Sequence, residues 1–290
     1  MKTKSFLLFS TSVFATSIFL IVFHSQQPQS IQNIVTQTHR HIKDFQVLFI
    51  LIHEFNFYKA INYISNYCNS SKCAIVDFDL DAFPSHVSDE SIFAFRPIII
   101  QVRHALSVVG GVIFCESSER WTGGAAALAA AWEAARAGGV AAWPRRAAVT
   151  SLTHPRMFHY LHASLDDFLF VQMVDASRLL FANTTAVRAV MRPWLQCALT
   201  LDCIMPLGAQ SAGCRFDKKP QYRYSGCHGQ DASALSIVLG LRSGFEEARY
   251  TVRDARACWR HVSDAEARAL FASLDRNSTD ESRTTDSRTD

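Results

Sequence analysis

The sequence predicts an α/β domain with a largely parallel sheet flanked by helices, preceded by one membrane-spanning helix. Three observations lead to this fold class. Apolar residues make up 49% of the 290 residues, which is enough for a sizeable core and too much for a disordered chain. Short apolar runs alternate with helical patterns through most of the chain. One uncharged stretch near the N-terminus is long enough to cross a bilayer.

That stretch, residues 6–23, contains 18 residues and follows Lys2 and Lys4. As a helix it would rise about 27 Å, close to the hydrocarbon thickness of about 30 Å. It is longer than the apolar region of a cleaved signal peptide, and no clear small-x-small cleavage site follows it. We therefore expect a cytosolic tail at residues 1–5 and an uncleaved signal anchor at 6–23. The protein would then be a single-pass type II membrane protein with a luminal body; cleavage of the segment would instead make it secreted.

The remaining chain divides by composition. Residues 24–45 are polar and glutamine-rich, as expected of a stalk. Residues 46–274 contain the strand and helix patterns and form the predicted luminal domain, whereas the polar tail at 275–290 is expected to be disordered. A formal net charge of only +3 provides no general field for polyanions, so nucleic acid is not an expected partner.

The cysteines agree with a luminal location. There are eight, and the four from Cys197 to Cys227 have gaps that match no zinc knuckle. In an oxidising lumen disulfides are the expected state of such a cluster, although the sequence leaves their pairing open. N-glycosylation sequons at Asn69, Asn183 and Asn277 give weaker support, because sequons are frequent by chance.

Apolar runs predict the strands in chain order. Residues 47–52 and 73–80 read as buried strands, and 108–115 as a third strand. Residues 140–143 form a short strand that we expect Pro144 to close, because proline lacks the backbone donor a strand needs. Another strand is predicted at residues 178–182.

Helical signals lie between these strands. A helix is predicted at residues 97–106, beginning at a proline, and an alanine-rich helix at 125–137 that ends at two glycines. Residues 184–195 and 231–241 read as further helices, the second amphipathic with Asp231 at or near its N-cap. Ser263 to Glu266 has the pattern of a capping box, which would open a last helix to residue 274.

Ligands of such sheets bind beyond the carboxyl ends of the strands, so polar residues there are the first candidates for chemistry. Glu116, Ser117 and Ser118 follow the strand at 108–115. One carboxylate with two hydroxyls suits a metal-bound nucleotide, and it suits an ordinary turn equally well. The alternating aspartates at residues 77, 79 and 81 offer oxygen ligands for a divalent cation, or simply the solvated side of a strand.

Two loops carry further candidates. His154 lies in a segment of hydroxyl, imidazole and aromatic side chains that could contact a sugar or a phosphate, or be structural. His228 follows a cysteine in a glycine-flanked loop and could ligate a cation or pack beside a disulfide. Asp231 comes three residues later, where an N-cap is the commonest role of aspartate. No glycine-rich phosphate loop or G-x-S-x-G elbow occurs.

Several blocks together resemble a poorly characterised animal family. Its members are single-pass membrane proteins with a GT-A-like, nucleotide-diphospho-sugar transferase domain. The blocks occur in the family's order and span roughly residues 76–240: FDLDAFPSHV at 78–87, FAFRPIII at 93–100, VIFCESSERW at 112–121, THPRMFHYL at 153–161, PWLQCALTLDCIMP at 193–206 and GCHGQDASALSIVL at 226–239. The resemblance implies a location in the Golgi or ER membrane, with the domain in the lumen, and transfer of a sugar from a nucleotide sugar to a glycan or glycoprotein acceptor.

The resemblance also implies roles for the candidate residues. Glu116 and His228 would ligate Mn²⁺ or Mg²⁺, which neutralises the diphosphate leaving group. Ser117, Ser118 and His154 would bind the nucleotide sugar. Asp231 would be the catalytic residue that orients or deprotonates the acceptor hydroxyl.

This chain departs from the family pattern at points that bear on activity. Glu116 stands where the family usually has aspartate, and Gly229 and Gln230 replace an Arg-Tyr pair. The segment before residue 73 is also too short for a full first βαβ unit. These departures favour an alternative function, that of a catalytically inactive, disulfide-stabilised luminal or cell-surface binding protein.

Overall fold

The structure is a computed structural model that describes residues 47–52, 80, 82–106, 110–116, 118–217, 222–252, 258–263 and 265–266. The predicted anchor at 6–23, the stalk at 24–45, the aspartates at 77, 79 and 81 and the tail at 275–290 lie outside these residues. The strand predicted at 73–80 lies outside them too, except for its last residue. Within the described ranges, no helix has both the length and the apolar character needed to span a membrane.

Two antiparallel sheets form the β-structure of the described residues. The larger has four strands in the spatial order β1-β2-β5-β4, and the smaller pairs β3 with β6. The strand bounds are β1 Val47–Ile52, β2 Gly111–Glu116, β3 Glu119–Trp121, β4 Val140–Ala148, β5 Gln172–Ala182 and β6 Trp259–His261. The fold is therefore mixed α/β, as predicted, but the prediction of a largely parallel, GT-A-like sheet is wrong for this part of the chain.

The direction of the strands explains the error. Strands β2 and β4 both pair antiparallel with β5, so they point the same way, as the two strands of a predicted βαβ unit should. Strand β5 lies between them, however, so each of the two pairs with an antiparallel neighbour and not with the other. The sequence shows the alternation of strands and helices, but it does not show which strand is inserted between two others.

The apolar runs in β2 and β5 arise because helices cover both faces of the sheet. On one face Ile113 and Leu180 belong to the same buried cluster as Ala131. On the other face the ring of Phe181 stacks on Trp194, with ring centroids 6.4 Å apart. Strands buried on both faces lack a polar side, a pattern typical of parallel sheets, and here it belongs to an antiparallel one.

The helices largely match the predicted segments. Their bounds are α1 Phe95–Leu106, α2 Ala125–Gly138, α3 Pro155–Tyr160, α4 Thr185–Ala198, α5 Leu201–Ile204 and α6 Gln230–Ser243. Helix α2 ends at Gly139, whose φ of 86° is the left-handed conformation that glycine adopts at little cost. Helix α6 is buried along most of its length between α4 and β5, so the prediction that it is amphipathic is wrong.

Strand β4 continues past Pro144, where the sequence predicted its end. It is an edge strand, where a proline can lie without breaking a ladder on both sides. Its pairing with β5 shifts register between Ala142 and Trp143 and again after Pro144. The strand is therefore longer but irregular.

The cysteine cluster forms disulfides, which confirms that prediction. Cys197 pairs with Cys203 and joins the end of α4 to α5, while Cys214 pairs with Cys227 and closes the loop that leads to α6. Near the C-terminal end of the described chain, the Ser263 hydroxyl accepts a hydrogen bond from the Glu266 amide at 3.2 Å, as expected of a capping box.

Candidate functional site

Three charged side chains from distant parts of the chain meet at the carboxyl end of β2. Glu116 is the last residue of β2, Arg96 is the second residue of α1, and Asp231 is the second residue of α6. We call these three residues the Arg96 cluster. Two of them come from the first turns of helices, where backbone N–H groups favour a nearby carboxylate such as that of Asp231.

Arg96 holds both carboxylates. Its Nη1 donates to both carboxylate oxygens of Asp231, each at 3.0 Å. Its Nη2 donates to Oε1 of Glu116. The side chains of Arg96 and Asp231 are buried, whereas that of Glu116 remains 26% exposed. The cluster therefore has an inner carboxylate closed off from solvent and an outer one within reach of it.

Burial and charge have different net effects on the ionisation of Asp231 and Arg96. Desolvation raises the pKa of Asp231 to about 6, and the Arg96 charge offsets only part of this effect. For Arg96, burial lowers the pKa, but the carboxylates of Asp231 and Glu116 outweigh it and the net shift is upward. With all three groups ionised, the cluster has one positive and two negative charges, a net charge of −1.

Aromatic residues fix the cluster in place. The guanidinium of Arg96 lies 3.9 Å from the centroid of the Phe93 ring, a cation–π geometry. The indole N–H of Trp194 donates to the backbone carbonyl of Asp231 at 2.9 Å. The position of the inner ion pair is thus set by packing from α4 as well as by charge.

His228 lies in a separate hydrogen-bond network. Its Nδ1 accepts from the His154 amide at 3.2 Å, and its Nε2 lies 3.0 Å from the Ile204 carbonyl, to which it donates in the neutral tautomer. Burial lowers its pKa to about 4, which keeps the ring neutral at physiological pH. Both ring nitrogens are occupied, so metal ligation would require the ring to give up one of these bonds.

The described members of the remaining predicted binding residues, His154 and Ser118, make local structural contacts. His154 is the N-cap of α3, where its Nδ1 accepts from the Arg156 amide at 3.3 Å, and its ring meets Tyr224 edge-on. Ser118 is buried, and its carbonyl accepts from the Val262 amide at 2.7 Å. Ser117 lies outside the described residues.

The described side chains do not fit the predicted Mn²⁺ or Mg²⁺. Such ions need several oxygen ligands, and no group of three or more His, Cys, Asp or Glu side chains in the described ranges is arranged to hold a metal. At Glu116 a guanidinium already contacts the carboxylate, and its positive charge disfavours a second cation there.

A second arginine cluster lies just beyond the β2–β3 turn. Glu119, the first residue of β3, accepts from Nη1 of Arg178 at 2.9 Å and lies 3.2 Å from Nδ1 of His261. Nη2 of Arg178 is 3.3 Å from Asp175, three residues earlier on β5. We call these four residues the Arg178 cluster.

Sequence reasoning did not assign Arg96 a role, although it lies in one of the quoted blocks. The available signal was its position as the only charged residue in the apolar segment from Ile92 to Ile100. A charged residue in such a run is buried only with partners, so it could have been identified as the centre of an ion-pair cluster. Its partners were both predicted site residues, Glu116 and Asp231.

In the described part of the chain, these features define a mixed α/β protein with two disulfides and a buried arginine between two predicted site carboxylates. Comparison of the chain with protein-family models, with curated proteins and with solved structures finds no match.

Proposed function

We propose that this chain is a disulfide-stabilised binding protein of the secretory pathway, luminal or at the cell surface, without sugar-transfer chemistry. The observation that carries the proposal is the Arg96 guanidinium, which lies between the carboxylates of Glu116 and Asp231 and bonds to both. The transferase prediction requires a metal ion at Glu116 and a free base at Asp231, and Arg96 contacts both of these carboxylates.

A specific contact opposes each of the two predicted roles, that of Asp231 as a base and that of Glu116 as a metal ligand. A general base must lie within hydrogen-bond reach of the proton that it removes. Both oxygens of Asp231 accept from Arg96, and the side chain is only 1% exposed, so no acceptor hydroxyl reaches it in this arrangement. Glu116 faces a positive charge, which weakens any attraction for a divalent cation.

The loops around the predicted site residues are well braced, which suits a binding surface. The Ser225 amide and hydroxyl both donate to the Ser151 carbonyl, at 2.9 and 2.8 Å, and the Gly229 amide donates to the Leu152 carbonyl at 2.8 Å. The Cys214–Cys227 disulfide closes the same loop. A surface fixed before binding loses less conformational entropy when a ligand arrives.

Calorimetric titration tests the proposal. The full chain, expressed in a secretory host and purified in detergent, would be titrated with a panel of UDP-sugars with and without Mn²⁺, and UDP release would be followed in parallel. We expect no Mn²⁺-dependent binding and no UDP release. Saturable Mn²⁺-dependent binding that disappears in Glu116→Ala but persists in the matched Glu119→Ala variant would overturn the proposal.

A metal-dependent glycosyltransferase is the second candidate, and two observations favour it. Glu116 is partly exposed, and the pKa of Asp231, about 6, lies in the range of a general base working near neutral pH. An enzyme of this kind would release UDP at a rate that rises as the pH increases through about 6. That activity would be lost in Asp231→Asn and retained in Asp175→Asn.

The sequon at Asn183 provides a test of the secretory location. Asn183 is exposed in the turn between β5 and α4, and the register pairs its neighbour Ala182 with Gly111, at the opposite end of β2 from Glu116. A glycan there would leave the Arg96 cluster open. We expect glycosidase treatment to convert Asn183 to aspartate in peptide mass spectra; an unmodified Asn183 in protein from a secretory host would count against this location.

A further inference from the structure

The guanidinium of Arg96 uses its donors unevenly. Nη1 serves Asp231 and Nη2 serves Glu116, but Nε is buried and has no hydrogen-bond partner among the described residues. An unpaired buried N–H loses its bonds to water without replacement. Among the three guanidinium nitrogens of Arg96, Nε is therefore the one without an acceptor in the described residues.

The unused Nε donor shares one edge of the guanidinium with Nη2, the nitrogen that contacts Glu116. In a guanidinium, the Nε–H bond and one Nη2–H bond point the same way, so an anion with two oxygens can accept from both at once. Glu116 accepts from Nη2 through Oε1, and no group in the described residues accepts from Nε. An ideal bidentate ligand would accept from both nitrogens.

The two carboxylates differ in how easily they could leave. Asp231 is closed off from solvent and makes two bonds to Nη1, while Trp194 holds its backbone. Glu116 is partly exposed and ends its strand, so its side chain can turn toward water. With Glu116 turned away, the Phe93 ring still supports the guanidinium, and Nη2 loses its bond to Glu116 while Nε remains without an acceptor.

We propose that Arg96 binds an oxyanion from solution through its Nε–Nη2 edge, and that Glu116 occupies this edge as an internal anion that the ligand displaces. The ligand class is a phosphoryl or carboxylate group with two terminal oxygens. This inference rests on the binding function proposed above and names the chemistry of its ligand. The ligand's oxygens would accept directly from the guanidinium, so no metal takes part in this binding.

Two matched variants test the inference by calorimetry with the full chain. Inorganic phosphate is the phosphoryl probe and glucuronate the carboxylate probe, and the tighter of the two identifies the source of the oxyanion. Glu116→Gln removes the competing negative charge, so we expect its affinity for at least one probe to rise about tenfold over the unmodified chain. Glu119→Gln removes a carboxylate only three residues away, in the Arg178 cluster, and should leave the affinity unchanged.

The outcomes separate this inference from the proposed function. An unchanged affinity in Glu116→Gln, or an equal rise in Glu119→Gln, overturns the inference and leaves the absence of transferase chemistry untouched. UDP release by the unmodified chain overturns the proposed function whatever the phosphate affinities are. Adding Arg96→Lys to Glu116→Gln should abolish the gain, because lysine keeps the charge but lacks the two-donor edge. If the lysine variant does not fold, the glutamine pair still decides the question.

Discussion

The Arg96 cluster and the Arg178 cluster lie on either side of one turn, since Glu116 ends β2 and Glu119 begins β3. Each places an arginine between a glutamate and an aspartate. They differ in where the aspartate comes from. Asp231 is brought to Arg96 from 135 residues away, whereas Asp175 is three residues from Arg178 on the same strand.

The aspartates ionise differently as a result. At Asp231 desolvation prevails and raises the pKa to about 6. At Asp175 burial also raises the pKa, but the Arg178 charge and hydrogen bonds from Ser177 outweigh it, and the net shift is downward. The arginine favours ionisation of its aspartate in both clusters. Whether it outweighs desolvation depends on how completely the carboxylate is removed from water.

Removing each aspartate should give the largest contrast between the clusters. Asp231→Ala leaves a buried arginine with only the outer carboxylate, and we expect it to lower the free energy of unfolding by about 3–5 kcal/mol. Asp175→Ala leaves Arg178 paired with buried Glu119, so its loss should be about 1 kcal/mol. Urea unfolding with disulfides intact measures both. Equal losses would mean that burial does not distinguish the clusters.

The pH dependence of stability should differ in sign. Because the folded pKa of Asp231, about 6, lies above its ordinary value of 3.8, its stabilising contribution is full below about pH 4 and is lost as the pH rises to about 6. At about 1.4 kcal/mol per pKa unit, the change is about 3 kcal/mol. Asp175, with a lowered pKa, contributes above its ordinary pKa and loses that contribution as the pH falls through its folded value.

Unfolding of Asp231→Asn and Asp175→Asn between pH 3 and pH 7 measures this contrast. Subtracting the free energy of unfolding of each variant from that of the unmodified chain cancels the pH-dependent contributions that both share, including that of His228. We expect the Asp231 difference to shrink with rising pH and the Asp175 difference to grow. Parallel curves for both variants would contradict the assigned pKa directions.

Replacing the glutamates should give a smaller difference in stability loss, and here the loss should be larger in the Arg178 cluster. Glu119 is buried and contacts both Arg178 and His261, so Glu119→Gln should cost about 1–2 kcal/mol. Glu116 is partly exposed, and Arg96 is its one ion-pair partner among the described residues, so Glu116→Gln should cost less than about 1 kcal/mol. Thermal unfolding of the two variants compares them. A larger loss in Glu116→Gln would show that Glu116 contributes more to stability than Glu119 does.

The smallest effect is expected at His261. Its side chain is 68% exposed and pairs with Glu119 as an ion only when protonated. His261→Gln should change the free energy of unfolding by less than about 0.5 kcal/mol at pH 8. A loss comparable to that of Glu119→Gln would assign the stability of the cluster to the histidine instead of Arg178.

Much of the secondary structure could be predicted from local sequence. The strand at 47–52 and the alanine-rich helix ending at Gly139 follow from apolar runs, helix propensity and glycine's left-handed conformation. Strand β4 was predicted too short, because tolerance of Pro144 depends on an edge position that neighbouring residues do not encode. Among the site residues, Glu116 and Asp231 were singled out, but the arginine joining them was not.

The sequence alone determined the mixed α/β class, the disulfide state of the Cys197–Cys227 cluster and the identity of two carboxylates worth examining. These features depend on local patterns of polarity and on redox chemistry. Only the tertiary structure decided that β5 lies between β2 and β4, and that Arg96 meets Asp231. Strand order and long-range ion pairs result from packing among segments far apart in the chain, and residue spacing carries no record of which segments meet.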